Sequence, residues 1–180
     1  MGDRLSGKIA IVTGAGSGIG AAAVRAFVAQ GAKVLATDIN ADAVQALADE
    51  LGDAVHAMAH DSSNEAQWVS VVAEAVSRFG GLHVLVNNAG IGHGSRLTET
   101  TLDEWRTVMA VNLDGVFLGT KHAIPAMVAS GGGSIVNISS IAAGLGSPDE
   151  FVWYAASKAA VDSLTVGLAR ELAPAGIRVN

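Results

Sequence analysis

The opening thirty residues constrain the fold more than any other part of the chain. Ile9-Ala10-Ile11-Val12 is a short apolar run, and Thr13-Gly14-Ala15-Gly16-Ser17-Gly18-Ile19-Gly20 follows it with a glycine at every second position. From about Ile19 to Gln30 the apolar residues take a helical period, and Gly31 is a suitable stop, because glycine tolerates the left-handed cap conformation. A buried strand that passes through such a turn into a helix reverses sharply and aims the free N–H groups of the helix at an anion. Glycine turns are common, but one placed between a strand and a helix points to a pyrophosphate. Gly14, Gly16, Ser17, Gly18, Ile19 and Gly20 are the candidate cradle.

The same alternation continues down the chain. Lys33 to Asp38 reads as a second strand, Ala41 to Leu51 as a helix and Ala54 to His60 as a third strand. Ser62 and Glu65 have capping-box spacing before a helix that runs to about Phe79. Leu82 to Val86 is the fourth strand. Thr101 and Glu104 repeat the capping box before a long helical stretch to about Ser130, in which Pro125 should kink the helix or restart a turn. Ser134 to Ile138 is the fifth strand, Tyr154 to Leu172 is helical, and Ile177-Arg178-Val179 begins a sixth strand. Strands separated by helices of this length imply right-handed crossovers. The expectation is an α/β fold, a Rossmann-type doubly wound parallel sheet of at least six strands with helices on both faces. No linker or repeat interrupts it, so residues 1–180 read as a single dinucleotide-binding domain.

Composition narrows the function. The formal charge of −6 leaves no basic stripe for a phosphate backbone, which argues against a nucleic-acid partner. There is no cysteine, so disulfides and thiolate metal sites are excluded, and a reducing compartment fits. The N-terminus lacks the apolar segment of a secretory signal, and no run approaches the roughly 18 apolar residues that span a bilayer. The expectation is a soluble cytoplasmic protein with no membrane partner.

Two further features carry chemistry. Asp38 ends the second strand, 18 residues after Gly20, where an acid can accept hydrogen bonds from ribose hydroxyls. A carboxylate there repels a 2′-phosphate, and Ser17, Ile39 and Asn40 supply no cation to attract one, which favours NAD over NADP. The alternative is that Asp38 only starts a turn or caps the next helix. Tyr154 is the sole tyrosine and stands four residues before Lys158, on the same helical face. A cation beside a phenol favours phenolate, and an unperturbed tyrosine titrates near pH 10, too high for proton exchange at neutral pH without help. A packed tyrosine with a solvated lysine is the plainer reading of that spacing.

Taken in order, these elements resemble the short-chain dehydrogenase/reductase family over essentially the whole chain. The loop Thr13-Gly14 to Gly20 has the family's TGxxxGIG form, and Asn87-Asn88-Ala89-Gly90 matches its NNAG element. Asn112, Ile138-Ser139-Ser140 and the Tyr154/Lys158 pair match its asparagine, serine and YxxxK elements. The resemblance implies hydride transfer between a nicotinamide cofactor and a small-molecule alcohol or ketone. Tyr154 would be the general acid in reduction and the base in oxidation. Lys158 would depress the tyrosine and hold the nicotinamide ribose, Ser140 would bond the substrate oxygen, and Asn112 would position Lys158 and a proton path. Asp61 would lie near the adenine, and Asn88, Ala89 and Gly90 would line the cofactor cleft. A homo-oligomer, usually a tetramer, is implied too, with apolar helix positions such as Val116, Phe117, Leu164 and Val166 as interface or as buried core.

The chain departs from the family pattern in two places. Ser140 lies 14 positions before Tyr154, one more than in many relatives, with Asp149 to Trp153 bulky in between; Ser139 is the runner-up. Family members also run on beyond the point that corresponds to Asn180, through a Pro-Gly turn, a substrate loop and a final strand. The resemblance therefore implies a piece of a longer polypeptide, or a shortened product. Competing readings are an NADPH-dependent 3-oxoacyl-carrier-protein reductase, which Asp38 opposes, and a non-catalytic dinucleotide-binding subunit. His56 and His60 have metal-ligand spacing on a helix but fall in a strand, where ordinary histidines are expected. His93 faces either substrate or solvent. Trp68 and Trp105 read as packing residues, and Trp153 either shapes the pocket or anchors its loop.

Overall fold

A computed structural model describes residues 2–92, 94–147 and 151–180. His93, Asp149 and Glu150 lie outside the described residues. Six parallel strands form one sheet: β1 (Ile9–Thr13), β2 (Lys33–Asp38), β3 (Val55–Ala59), β4 (Val84–Asn87), β5 (Gly133–Asn137) and β6 (Ile177–Val179). Their spatial order is β3-β2-β1-β4-β5-β6, so the chain winds outward from β1 in one direction, then crosses back to β4 and winds in the other. The expected doubly wound α/β sheet is present.

All five residues of β1 are buried because both faces of the sheet are covered. Successive side chains point to opposite faces. Ile11 packs with Leu35, Leu85 and Ile135 on one side, under α3 (Glu65–Phe79) and α5 (Gly115–Ala129). Ala10 and Val12 pack with Val34, Ala36 and Val86 on the other, under α1 (Gly18–Ala29) and α2 (Ala41–Leu51). Trp68 is fully buried in the first layer, as expected of a packing residue, while Trp105 is only partly buried.

Two local expectations need correction. The box at Ser62 and Glu65 does not form: Asn64 caps α3, its side chain accepting from Gln67 N at 3.1 Å. Ser62 is instead buried beneath Gly115, where an added Cβ would lie 3.1 Å from its hydroxyl. The second box does form at α4 (Leu102–Met109), with Glu104 N donating to the Thr101 hydroxyl at 3.2 Å and Thr101 N to the Glu104 carboxylate at 2.7 Å. Pro125 does not interrupt α5, which runs through it from Gly115 to Ala129. Pro125 and Lys121, whose carbonyl loses its partner, are both exposed, so water can satisfy that carbonyl. The irregularity lies upstream, in one wide π-helical turn at Ala110–Asp114 that joins α4 to α5 and holds Asn112. A four-residue helix, α6 (Ala142–Leu145), follows the serine element, and α7 (Val152–Leu172) carries Tyr154 and Lys158. Val116 is buried, whereas Phe117 and Val166 are half-exposed.

Candidate active site

The winding reverses between β1 and β4, so the loops leaving their C-terminal ends diverge and leave a crevice there. Thr13 stitches the two loops together. Its hydroxyl accepts from Asn88 N and Ala89 N, both at 3.0 Å, and donates to Val86 O at 3.3 Å. The Asn88 side-chain amide donates to Thr13 O at 2.9 Å and to Gly14 O at 3.1 Å. Gly14 needs glycine twice over: its φ is +62°, and an added Cβ would lie 2.9 Å from the Ala89 Cα. Asp38, at the end of β2, accepts from Gly16 N at 2.8 Å with one oxygen and from Asn40 N at 2.8 Å with the other.

These groups line a cleft of about 560 Å³ that holds Gly14, Ser17 to Ile19, Asp38, Asp61 and Asn88 to Gly90. No lysine or arginine lines it among the described residues. The first turn of α1 has no side-chain cap, and Ser17 to Ile19 are exposed, so its amides are free to meet a ligand's anionic group. The chemistry fits the pyrophosphate and ribose of a dinucleotide. Asp61 stands in the wall, one carboxylate oxygen accepting from Ser63 N at 2.9 Å and from the Ser63 hydroxyl at 2.7 Å.

A second cavity of about 310 Å³ shares Ile19, Asn88, Gly90 and Ile91 with the first, so the two are continuous. It adds Ser139, Phe151, Tyr154 and Lys158. Phe151 meets the Tyr154 ring edge-on at 6.5 Å. Lys158 is 4% exposed; its ammonium donates to Ile138 O at 2.7 Å and lies 5.9 Å from the centre of the Tyr154 ring. Burial pulls its pKa below the usual lysine value, and the charge of Asp162 acts in the opposite sense.

Asn112 is fully buried. Its side chain clamps Ile91 at both backbone groups, accepting from N at 2.8 Å and donating to O at 3.0 Å. It also donates to the Ser157 hydroxyl at 3.0 Å, which in turn donates to Tyr154 O at 2.7 Å. Asn112 therefore holds the loop after β4 against α7 one residue before Lys158, and the lysine itself is held by Ile138. Gly90 fits between the two: an added Cβ would lie 3.3 Å from Asn112 Oδ1 and 3.5 Å from Lys158 Nζ.

Of the two serines, Ser139 lines the Tyr154 cavity, its hydroxyl donating to Lys158 O at 3.4 Å. Ser140 accepts from Ala142 N at 3.2 Å at the start of α6. Trp153 is buried and donates to Ser95 O at 3.5 Å, tying the loop before α4 to α7. His56 and His60 are apart in role: His56 is beside Glu74 at 3.3 Å, and His60 is buried against Thr37. No group of three or more metal-ligating side chains occurs among the described residues. Ile91 and Phe151 are cleft residues that no sequence motif announces.

A family model described as short chain dehydrogenase matches residues 8–180. A 3-alpha-(or 20-beta)-hydroxysteroid dehydrogenase of Mycobacterium tuberculosis is 48% identical over 180 residues, which are all of this chain and 69% of that protein. An NADP-dependent (R)-specific alcohol dehydrogenase of Lentilactobacillus kefiri is 42% identical over 185 residues, all of this chain and 73% of the relative. Among solved structures, a 3-ketoacyl-(acyl-carrier-protein) reductase from Brucella melitensis, complexed with NADH, superposes with a TM-score of 0.95 at 41% identity. That match covers 98% of this chain and 74% of the other. No helix among the described residues is long and apolar enough to cross a membrane.

Proposed function

The chain belongs to the short-chain dehydrogenase family, oxidoreductases that act on hydroxyl groups and use a nicotinamide cofactor, and we propose that it uses NAD on a secondary alcohol or its ketone. The shared lining of the two cavities supports this above all. Asp38 and the glycine loop stand at one end of a continuous cleft, and Tyr154 and Lys158 stand at the other. Asp38 offers acceptors for ribose hydroxyls and repels a 2′-phosphate, with no lining cation among the described residues to offset it.

When bound, NAD supplies or takes up the hydride. The chain's part is to position and to move a proton. Tyr154 gives its phenolic proton to the substrate oxygen in reduction and takes it back in oxidation. The Lys158 ammonium, desolvated and fixed on Ile138 O, stabilises the negative charge left on the phenol oxygen. Ser140 donates its hydroxyl hydrogen to the substrate oxygen while its oxygen accepts from Ala142 N; Ser139 is the second candidate, since it already lines the cavity. Asn112 keeps the cleft floor and α7 at a fixed spacing. Fluorescence titration with NADH and with NADPH tests the cofactor assignment: NADH binds at least about tenfold tighter, and tighter binding of NADPH overturns it.

The same reading places the protein in the cytoplasm, as one dinucleotide-binding domain. It also makes the protein a homo-oligomer, a tetramer, with the half-exposed Phe117 and Val166 available for contact. Light scattering on the purified chain checks the last point.

A further inference from the structure

His60 is a buried titratable residue to which the proton-transfer chemistry assigns no part, yet it lines the cleft beside Asp61. The ladder between β2 and β3 ends at Asp38 and Ala59. Beyond it a single backbone bond continues, from His60 N to Asp38 O at 2.8 Å. Asp38 and Asp61, on the two segments that this bond joins, both line the cleft. The His60 ring lies between β2 and α3. Its Nδ1 is 3.1 Å from the Thr37 hydroxyl, and its ring meets the Trp68 indole at 4.5 Å, nearly perpendicular at 84°. Trp68 in turn donates from Nε1 to Ser62 O at 2.8 Å. Asp61 is thus held on both sides in sequence, by a ring anchored on β2 and a carbonyl anchored on α3.

The other ring nitrogen has no partner among the described residues and no exposure. A buried polar atom without a hydrogen bond is unfavourable, and an apolar side chain would avoid it. Histidine at this position is therefore explained by its Nδ1, which gives the fully buried Thr37 hydroxyl its hydrogen bond. The ring is neutral, because burial lowers its pKa to about 4.

We propose that His60 is the positioning residue of the adenosine end: by bridging Thr37 and Trp68 it sets where Asp38 and Asp61 stand, and so how tightly the adenosine half of a dinucleotide is held. This rests on the cofactor reading above. The test compares His60→Leu, which removes the partner of Thr37, with His60→Asn, whose side-chain oxygen falls near the place of Nδ1. Thr37→Val breaks the same bond from the other side and stands in if His60→Leu does not fold. ADP-ribose, nicotinamide mononucleotide and NADH are titrated by calorimetry, and turnover is measured at saturating NADH.

His60→Leu and Thr37→Val each weaken ADP-ribose and NADH about tenfold, and together no more than either alone. His60→Asn restores most of that affinity, while nicotinamide mononucleotide binding and saturated turnover stay unchanged in every variant. Unchanged ADP-ribose affinity in both single variants overturns the proposal, and so do additive losses or equal losses for both half-ligands. If the unaltered chain binds neither NADH nor NADPH, the cofactor reading itself has failed.

Discussion

The two ends of the cleft are built differently. At the glycine loop the ligand meets main-chain amides: the Thr13, Asn88 and Asp38 side chains brace that backbone, and the loop takes its shape from positive-φ glycines. At the tyrosine end the reacting groups are themselves side chains, and other side chains fix their places. Asn112 bonds to Ile91 and Ser157, and Lys158 bonds to Ile138. A backbone cradle recognises phosphates through N–H groups that any residue offers. A proton-transfer site needs one phenol and one ammonium at set places, so it is more easily destroyed by a single substitution.

Tyr154→Phe separates the ends most sharply. It removes the exchangeable proton and leaves the edge-on packing with Phe151, so turnover should fall about a thousandfold. NADH affinity, set at the other end, should not change. Steady-state kinetics beside a fluorescence titration measures both, and turnover that survives would assign the proton to another group.

Next comes Asn112→Ala. The change strips partners from Ile91 N, Ile91 O and the Ser157 hydroxyl in a site with no exposure, so the fold should lose about 3 kcal/mol. Urea denaturation reads that loss. ADP-ribose, a probe of the glycine-loop end, should bind the folded variant as before. An equal loss of ADP-ribose affinity would mean that the two ends are not independently built.

This asymmetry also decides what was legible in the sequence. The glycine loop could be read because its function lies in backbone conformation, and backbone conformation is written locally in Gly14, Gly18 and the strand before them. Tyr154 and Lys158 could be read because one helical turn separates them. The Asn112 clamp could not, since Ile91 lies 21 residues away and reaches it only after the sheet has formed. Pro125 misled because its rule concerns helix interiors in general, whereas here the orphaned carbonyl is on the wet face. Ser62 misled because its spacing to Glu65 matches a capping box, but Asn64 stands closer to the helix start and takes the cap. The choice between Ser139 and Ser140 depends on α6, a single turn too short to leave a periodic signal.

The glycine-loop end contains a buried histidine, and pH exposes it. His60 has a folded pKa of about 4, below its unfolded value near 6.5, so the unfolded chain binds the extra proton between those values. Stability is therefore full above about pH 6.5 and falls as pH drops towards 4. Between pH 7 and pH 5 the loss should be about 2 kcal/mol by urea denaturation. His56 and His83, also lowered by burial, act in the same direction. The carboxylates lowered by ion pairs, Glu50, Glu65 and Glu74, keep their stabilising contribution above about pH 4.5 and lose it only as pH falls below that. The window thus reports the histidines, and His60→Asn should flatten most of it; a wild-type curve already flat there contradicts the buried neutral ring.

Asp38→Asn produces the smallest shift and tests the cradle itself. The carboxylate accepts from two amides, Gly16 N and Asn40 N, one on each oxygen. An asparagine has one acceptor oxygen and must turn its NH2 towards the other amide, so one of the two bonds is lost and the loop loosens at Gly16. It also removes the charge that repels a 2′-phosphate. NADH affinity should drop about tenfold and NADPH affinity should hold or rise, which narrows the ratio between them. If both cofactors weaken equally, Asp38 acts only as the anchor of Gly16, and discrimination lies elsewhere in the wall. If only the ratio moves, the backbone bonds matter less than the charge, and the cradle at this end depends on a side chain as much as the tyrosine end does.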